Sequence, residues 1–195
     1  MRNVERRGFL TLAAGVGAAL AAEGARAAAS SPDAFMLHPS GAMPNNERLP
    51  VLWYRQAFVP GDDLADRFDV LFARNGWPSQ WHAGIYDFHH YHSTAHEVLG
   101  CARGGTRVML GGENGRPVRF SAGDVLVLPT GTGHRNMTPD ADILVVGAYP
   151  AGQHWDICRN APDAAARARM ATLPFPVSDP VGGTGGAVPA LWHRV

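Results

Sequence analysis

The densest chemistry in this chain lies in GIYDFHHYHSTAHE, residues 84–97, which holds four of the nine histidines and a glutamate. Imidazole and carboxylate groups gathered this closely are either ligands of a transition metal or the polar face of a solvated strand. On a β-strand the stretch divides by parity, because alternate side chains share a face. Tyr86, Phe88, His90 and His92 then point one way, and Asp87, His89 and Tyr91 the other. His90 and His92 can chelate one ion. Glu97 lies five residues past His92, the opposite face of a straight strand, so the chain must turn at Ser93-Thr94-Ala95 or bulge, bringing Glu97 back from the next strand.

A further imidazole comes from GDVLVLPTGTGHRN, residues 123–136, where a strand ends in a Pro and Gly turn that delivers His134. Three neutral imidazoles and one carboxylate leave positions open on an octahedral ion. That set suits manganese, iron, nickel or cobalt and is acceptable to zinc or copper.

The two stretches resemble the paired motifs of the cupin superfamily. In the first, Gly84, five residues, His90-x-His92, four residues, Glu97, six residues and Gly104 match every fixed position. In the second, Gly123, five residues, Pro129-x-Gly131, two residues and His134 match as well. The family's closing asparagine, four residues after the histidine, is Thr138 here, with Asn136 two residues earlier. The close match runs from Gly84 to Thr138. The resemblance implies an all-β, cupin-type jelly-roll β-barrel, frequently a homodimer, with His90, His92, Glu97 and His134 around one divalent transition metal. It also implies oxidation, dioxygenation or decarboxylation of a small organic acid. A binding or sensing module, and a metal-independent sugar isomerase or epimerase, remain open beside it.

Other residues near the motifs have plainer readings. His89 and His96 each adjoin a ligand and so face away from it, as surface or supporting histidines, although a differently shaped turn would let His96 replace Glu97. Tyr86 and Phe88 line a cavity, and the Tyr86 hydroxyl is the candidate for orienting a metal-bound water or substrate. Cys101 shares parity with Glu97 and Leu99; it points into the barrel or is a small buried apolar residue. Arg103, Arg107, Arg119 and Arg135 are candidates for gripping a carboxylate, or surface arginines.

The elements that must hold these groups are short. Six β-rich runs (GIYDFHHYH, HEVLGCA, TRVMLGG, PVRFS, DVLVLP and DILVVGAYP), punctuated by Gly, Pro, Asn and Asp, predict a sandwich or barrel. An amphipathic helix is predicted over 63–74, capped by Asp62 or Asp63 and closed by Asn75-Gly76. A second is predicted over 162–171, with Pro162 in its first turn. Residues 28–61 read as an extended arm, 62–160 as the cupin domain with its leading helix, and 161–195 as a C-terminal helix and tail. The tail from Pro174 lacks a core pattern and is expected on the surface.

Residues 1–27 read as a twin-arginine export signal: Arg6-Arg7, an apolar run from Leu10 to Ala22 and a small-x-small site at Ala25-Arg26-Ala27. A periplasmic mature chain starting near Ala28 is expected, with no membrane partner after removal. The 17 arginines and 17 acids fall to 13 and 15, which favours no polyanion and excludes nucleic acid as a partner. The expected partner is a small-molecule ligand or substrate. All basic residues are arginine, which excludes lysine Schiff-base and P-loop chemistry. Cys101 and Cys158 are the only cysteines, and in an oxidising compartment they could pair. Twin-arginine passengers fold before crossing the membrane, so the site is expected to take manganese or iron before meeting periplasmic copper and zinc.

Overall fold

A computed structural model describes residues 31–138 and 142–193; the expected export signal lies outside the described residues. In chain order the elements are β1 (Asp33–Phe35), β2 (Val51–Tyr54), α1 (Leu64–Arg74), β3 (Ser79–Ala83), β4 (Glu97–Arg103), β5 (Gly105–Leu110), β6 (Arg116–Ser121), β7 (Val125–Leu128), β8 (His134–Asn136), β9 (Leu144–Ala148), α2 (Ala164–Thr172) and α3 (Ala187–Leu191). The strands form a six-stranded sheet, β1-β2-β7-β4-β9-β3, and a three-stranded sheet, β6-β5-β8, with every pairing antiparallel. This is an all-β jelly-roll fold with short flanking helices.

The central strands of the larger sheet, β2, β7, β4 and β9, are buried on both faces, and the alternation along β4 shows how. Leu99 and Cys101 join Leu110, Phe120, Leu126 and Val145 in the core between the sheets. Val98 and Ala102 face the other way, into a second core with Phe68 and Phe72 of α1. Gly100 lies under that helix: a Cβ there would sit 2.8 Å from the Phe68 ring, so the glycine lets α1 approach the strand. Helix α1 stops as its sequence predicts, with Asn75 as its C-cap and Gly76 in the left-handed region at φ +82°, but Asp63 stands at the N-cap without a side-chain capping bond, its carboxylate pairing with Arg67 Nε at 3.2 Å.

Several expectations need correction. Residues 84–92 are not a strand. They form an extended, irregular segment tied down by isolated bridges at His90 and Tyr91, because residues 87–88 bend away from regular pairing. The arm of 28–61 contributes β1 and β2, and β2 (VLWY) is buried at all four positions between β1 and β7. A strand covered on both faces carries no alternation to read. Pro162 precedes helix α2, whose N-cap is Asp163, its carboxylate accepting from the Ala166 N–H at 2.7 Å.

The largest difference is the tail. Val181, Val188 and Trp192 are buried in the outer core beside α1, and α3 is a helix the sequence pattern does not announce. The tail is held by a polar anchor. The fully buried Asp179 carboxylate accepts hydrogen bonds from the Tyr54 hydroxyl (2.6 Å) and the backbone N–H groups of Val181 (2.7 Å), Gly182 (2.8 Å) and Val188 (3.1 Å). Four donors offset the cost of burying an anion, and burial beside Asp179 pushes the Tyr54 hydroxyl far up, keeping it a donor. Replacing Asp179 with Ala strands those donors, and we expect a loss of about 3 kcal/mol in unfolding free energy. Thermal unfolding followed by circular dichroism should show Tm lower by roughly 6–12 °C. An unchanged Tm would mean that the tail is not part of the cooperative core.

Candidate metal centre

The site is assembled where the two sheets meet. His90 and His134 form an isolated antiparallel bridge, with the His90 N–H donating to the His134 carbonyl (3.2 Å) and the His134 N–H returning the bond (2.9 Å). Residues directly opposite in an antiparallel pair project to the same side, so the two imidazoles lie together, their centroids 4.1 Å apart. His92, two residues on, falls on the same side. Its carbonyl accepts from the Gly131 N–H and the Thr130 hydroxyl, both at 2.9 Å, which docks the Pro-Gly loop against it. The chain then turns, and Glu97 enters from the first residue of β4, opposite Leu128 of β7.

Each imidazole is held by its Nδ1. His90 donates to the Phe88 carbonyl (3.2 Å), His134 to the Thr132 carbonyl (3.1 Å), and His92 to the Asp156 carbonyl. A carbonyl can only accept, so Nδ1 carries the proton in all three and the Nε2 lone pair is left facing inward. Ligand atoms of His90, His92 and His134 lie within 4.8 Å of one another. The Glu97 carboxylate lies beside the three imidazoles, Oε1 at 3.3 Å from His92 Nε2 and Oε2 at 3.3 Å from His134 Nε2.

These groups are buried and electron-rich, and they face one another. His92 Nε2 and Glu97 Oε2 have no hydrogen-bond partner. With the Nδ1 protons committed to carbonyls, lone pairs meet lone pairs across 3.3 Å, an arrangement that calls for a cation or a proton between them. Three imidazoles and a carboxylate, with no thiolate, fit a divalent transition metal. Burial raises the Glu97 pKa, but His92, His134 and the Tyr149 hydroxyl more than reverse it, to about 2. Burial, with His134 adding to it, lowers His90 to about 3, and burial also lowers His134. For His92 burial acts in the same direction, yet its Glu97 neighbour outweighs it and the pKa is raised. The carboxylate is therefore the anion of the site.

Sequence comparison enters here. YjlB of Bacillus subtilis (strain 168), described as "Uncharacterized protein YjlB", is 33% identical over 164 residues, covering 82% of this chain and 96% of YjlB. The chain belongs to the YjlB family. No family model matches it.

In this YjlB-family chain one residue that parity could have found was missed: Tyr149. Its hydroxyl donates to Glu97 Oε1 at 2.7 Å and accepts from the Trp81 indole N–H at 2.8 Å. Val145, Gly147 and Tyr149 alternate inward along and just past β9, as Glu97, Leu99 and Cys101 do on β4. Gly147 has no side chain because Trp81 lies on it, an added Cβ being only 1.9 Å from the indole. Burial and Glu97 push the Tyr149 hydroxyl far up, so it stays a donor. Trp155 stacks on Tyr149, with centroids 6.1 Å apart and planes 22° apart. With Trp81, Tyr86, Ile85 and Leu99 these rings wall a cavity of about 180 Å³ over the His–Glu cluster. Tyr86 stands at its mouth, 48% exposed and stacked on Phe88.

The remaining candidates lie elsewhere. His89 turns away and accepts from Arg135 Nε at 3.1 Å. His96 is not a surface residue: it is fully buried on the outer face of the sheet, where the tail covers it. Its Nδ1 accepts from the Thr130 N–H (3.0 Å), its ring lies 4.9 Å from Trp192, and burial lowers its pKa to about 3. It does not replace Glu97. Cys101 packs in the inner core without lining the cavity, its thiol pushed up to about 12 by burial. Cys158 is also a free thiol, so the two do not pair. None of Arg103, Arg107, Arg119 and Arg135 lines the cavity. At the departure from the cupin pattern, Asn136 and Thr138 share the closing role, Asn136 Oδ1 accepting from the Thr138 N–H (2.9 Å) and the Thr106 hydroxyl.

The Tyr149 bond yields a direct test. Phenylalanine at 149 removes the donor that orients Glu97 and leaves the Trp81 N–H unpaired, so manganese affinity measured by chelator competition should fall about tenfold. Affinity equal to that of the unaltered protein would show that Glu97 needs no support from this hydroxyl.

Proposed function

We propose that this protein is a metal-binding cupin, a mononuclear metal-dependent enzyme acting on a small organic acid. The observation that carries the reading is the convergence of three Nδ1-tethered imidazoles on one buried carboxylate. His90, His92 and His134 hold the ion through Nε2 and Glu97 through its carboxylate. A divalent manganese or iron, when bound, supplies Lewis-acid or redox chemistry. The preference for these two metals follows from folding before export.

The chain's own contribution is positioning and exclusion. Tyr149 fixes the rotamer of Glu97, and Trp81, Tyr149, Trp155 and Leu99 keep water from surrounding the ion. The cavity lining offers no arginine, so the metal is the cationic group for a substrate carboxylate, and the rest of the substrate is small and apolar or aromatic. Tyr86 is the lining group with a hydroxyl not committed elsewhere in the site, which makes it the candidate to orient water or substrate from the mouth.

A second reading, a binding or sensing module, is favoured by one feature: outside the ligand set the ionisable lining residues are Tyr86 and Tyr149, and Tyr149 is engaged with Glu97. The same shortage of an acid and base pair weighs against a metal-independent sugar isomerase or epimerase. Periplasmic residence by the twin-arginine route, and a homodimer, belong to the same reading and rest on the sequence.

Two measurements test it. Elemental analysis of protein isolated from its native compartment should find chiefly manganese or iron, lost in His90→Ala; chiefly zinc or copper would overturn the preference. Protein loaded in turn with manganese, iron and nickel should turn over at least one compound from a panel of small aromatic and aliphatic carboxylates, diols and thiols. Binding without turnover throughout the panel would favour the sensing module.

A further inference from the structure

Resting on the reading of the His–Glu cluster as a metal centre, we propose that Asp156 is the positioning residue for His92. The three imidazole tethers are not equivalent. His90 and His134 each bond a carbonyl two residues earlier in their own segment, whereas His92 bonds the carbonyl of Asp156, 64 residues away. Local tethers form with the segment itself. The third exists only when residues 153–158 lie in place.

Those residues run alongside 91–96 in the opposite direction. Cys158 pairs with Tyr91 in an antiparallel bridge, the Thr94 hydroxyl donates to the His154 carbonyl (2.6 Å), and the His96 N–H donates to Gln153 Oε1 (2.9 Å). At the centre, the Asp156 carboxylate grips the residue next to His92. Its Oδ1 accepts from the Ser93 N–H and its Oδ2 from the Ser93 hydroxyl, both at 2.6 Å. Arg169 of α2 donates to the same hydroxyl oxygen at 3.1 Å, adding the C-terminal helix to the clamp. Asp156 thus holds the His92–Ser93 pair from both ends, its carboxylate on Ser93 and its carbonyl on the His92 ring. Two short bonds to the N–H and hydroxyl of one residue fix its position and its orientation together. The clamp keeps the His92 lone pair aimed at the ligands contributed by His90, His134 and Glu97.

The test compares the full chain with Asp156→Ala and Asp156→Asn. Manganese(II) affinity is read by chelator competition, ligand geometry by the visible spectrum of cobalt(II)-loaded protein, and folding by the Tm of the metal-free form. Asp156→Ala should bind manganese(II) roughly 10–100-fold more weakly and change the cobalt(II) spectrum. Asp156→Asn keeps an acceptor for the Ser93 N–H and should recover most of the affinity. Tight manganese(II) binding with an unchanged cobalt(II) spectrum in Asp156→Ala overturns the proposal, whatever happens to Tm. An Asn variant as weak as the Ala one reduces the role to charge and overturns it too. Failure of the unaltered protein to bind either ion would sink the metal reading instead. If Asp156→Ala is not recovered folded, Ser93→Ala removes only the hydroxyl half of the clamp and should weaken manganese(II) binding about fivefold; no change there overturns the proposal.

Discussion

The constraint on which this structure turns is that four electron-rich groups share one buried space with their lone pairs facing. His90, His92, His134 and Glu97 are each 6% exposed or less. Such a cluster repels itself unless a cation or proton lies within it, and it persists only because each member is held from behind. Three backbone carbonyls take the Nδ1 protons, and one tyrosine hydroxyl takes a carboxylate oxygen. The rest of the fold can be understood as what puts those four acceptors and donors in place.

The jelly roll does this by giving β4 two faces with different duties. Glu97 and Leu99 point into the cavity between the sheets, while Val98, Gly100 and Ala102 receive α1 and the tail. The outer core is large and apolar, with Phe68, Phe72, Trp77 and Trp192. It anchors the strand that carries the carboxylate. Of the buried polar groups there, Asp179 is satisfied by four donors, so the tail fixes this face without leaving an unpaired charge.

The inner side is organised more economically and is open at one end. Tyr86 and Trp155, both lining the cavity, are partly exposed, and Trp155 is flanked by the two residues, His154 and Asp156, that fasten its segment to Ser93 and Thr94. The same short segment therefore supplies one cavity wall and one imidazole tether.

The sequence by itself determined which side chains gather at the candidate site and the strands that alternate. Parity separated His90 and His92 from His89, the five-residue gap required a turn before Glu97, and the Pro-Gly loop pointed to His134. These are local facts, because each depends on the spacing of neighbours along one segment. The helix over 63–74 was legible for the same reason. Residues 84–92 show the limit: parity held for His90 and His92, which share a side, but not along the whole segment, since the neighbours Ile85 and Tyr86 both line the cavity and Phe88 does not. What only tertiary structure decided are the relations between distant segments. β2 carried no alternation because both its faces are covered, and the tail carried no core pattern because isolated residues such as Val181, Val188 and Trp192 fill an outer face built by others. His96 became a core residue for that reason. Tyr149 lay within reach of a parity argument, but its partner is 52 residues away, and the Asp156 carbonyl that orients His92 is 64 residues away. A hydrogen bond across such a separation leaves no periodic mark in the sequence; it exists only once the sheets have closed.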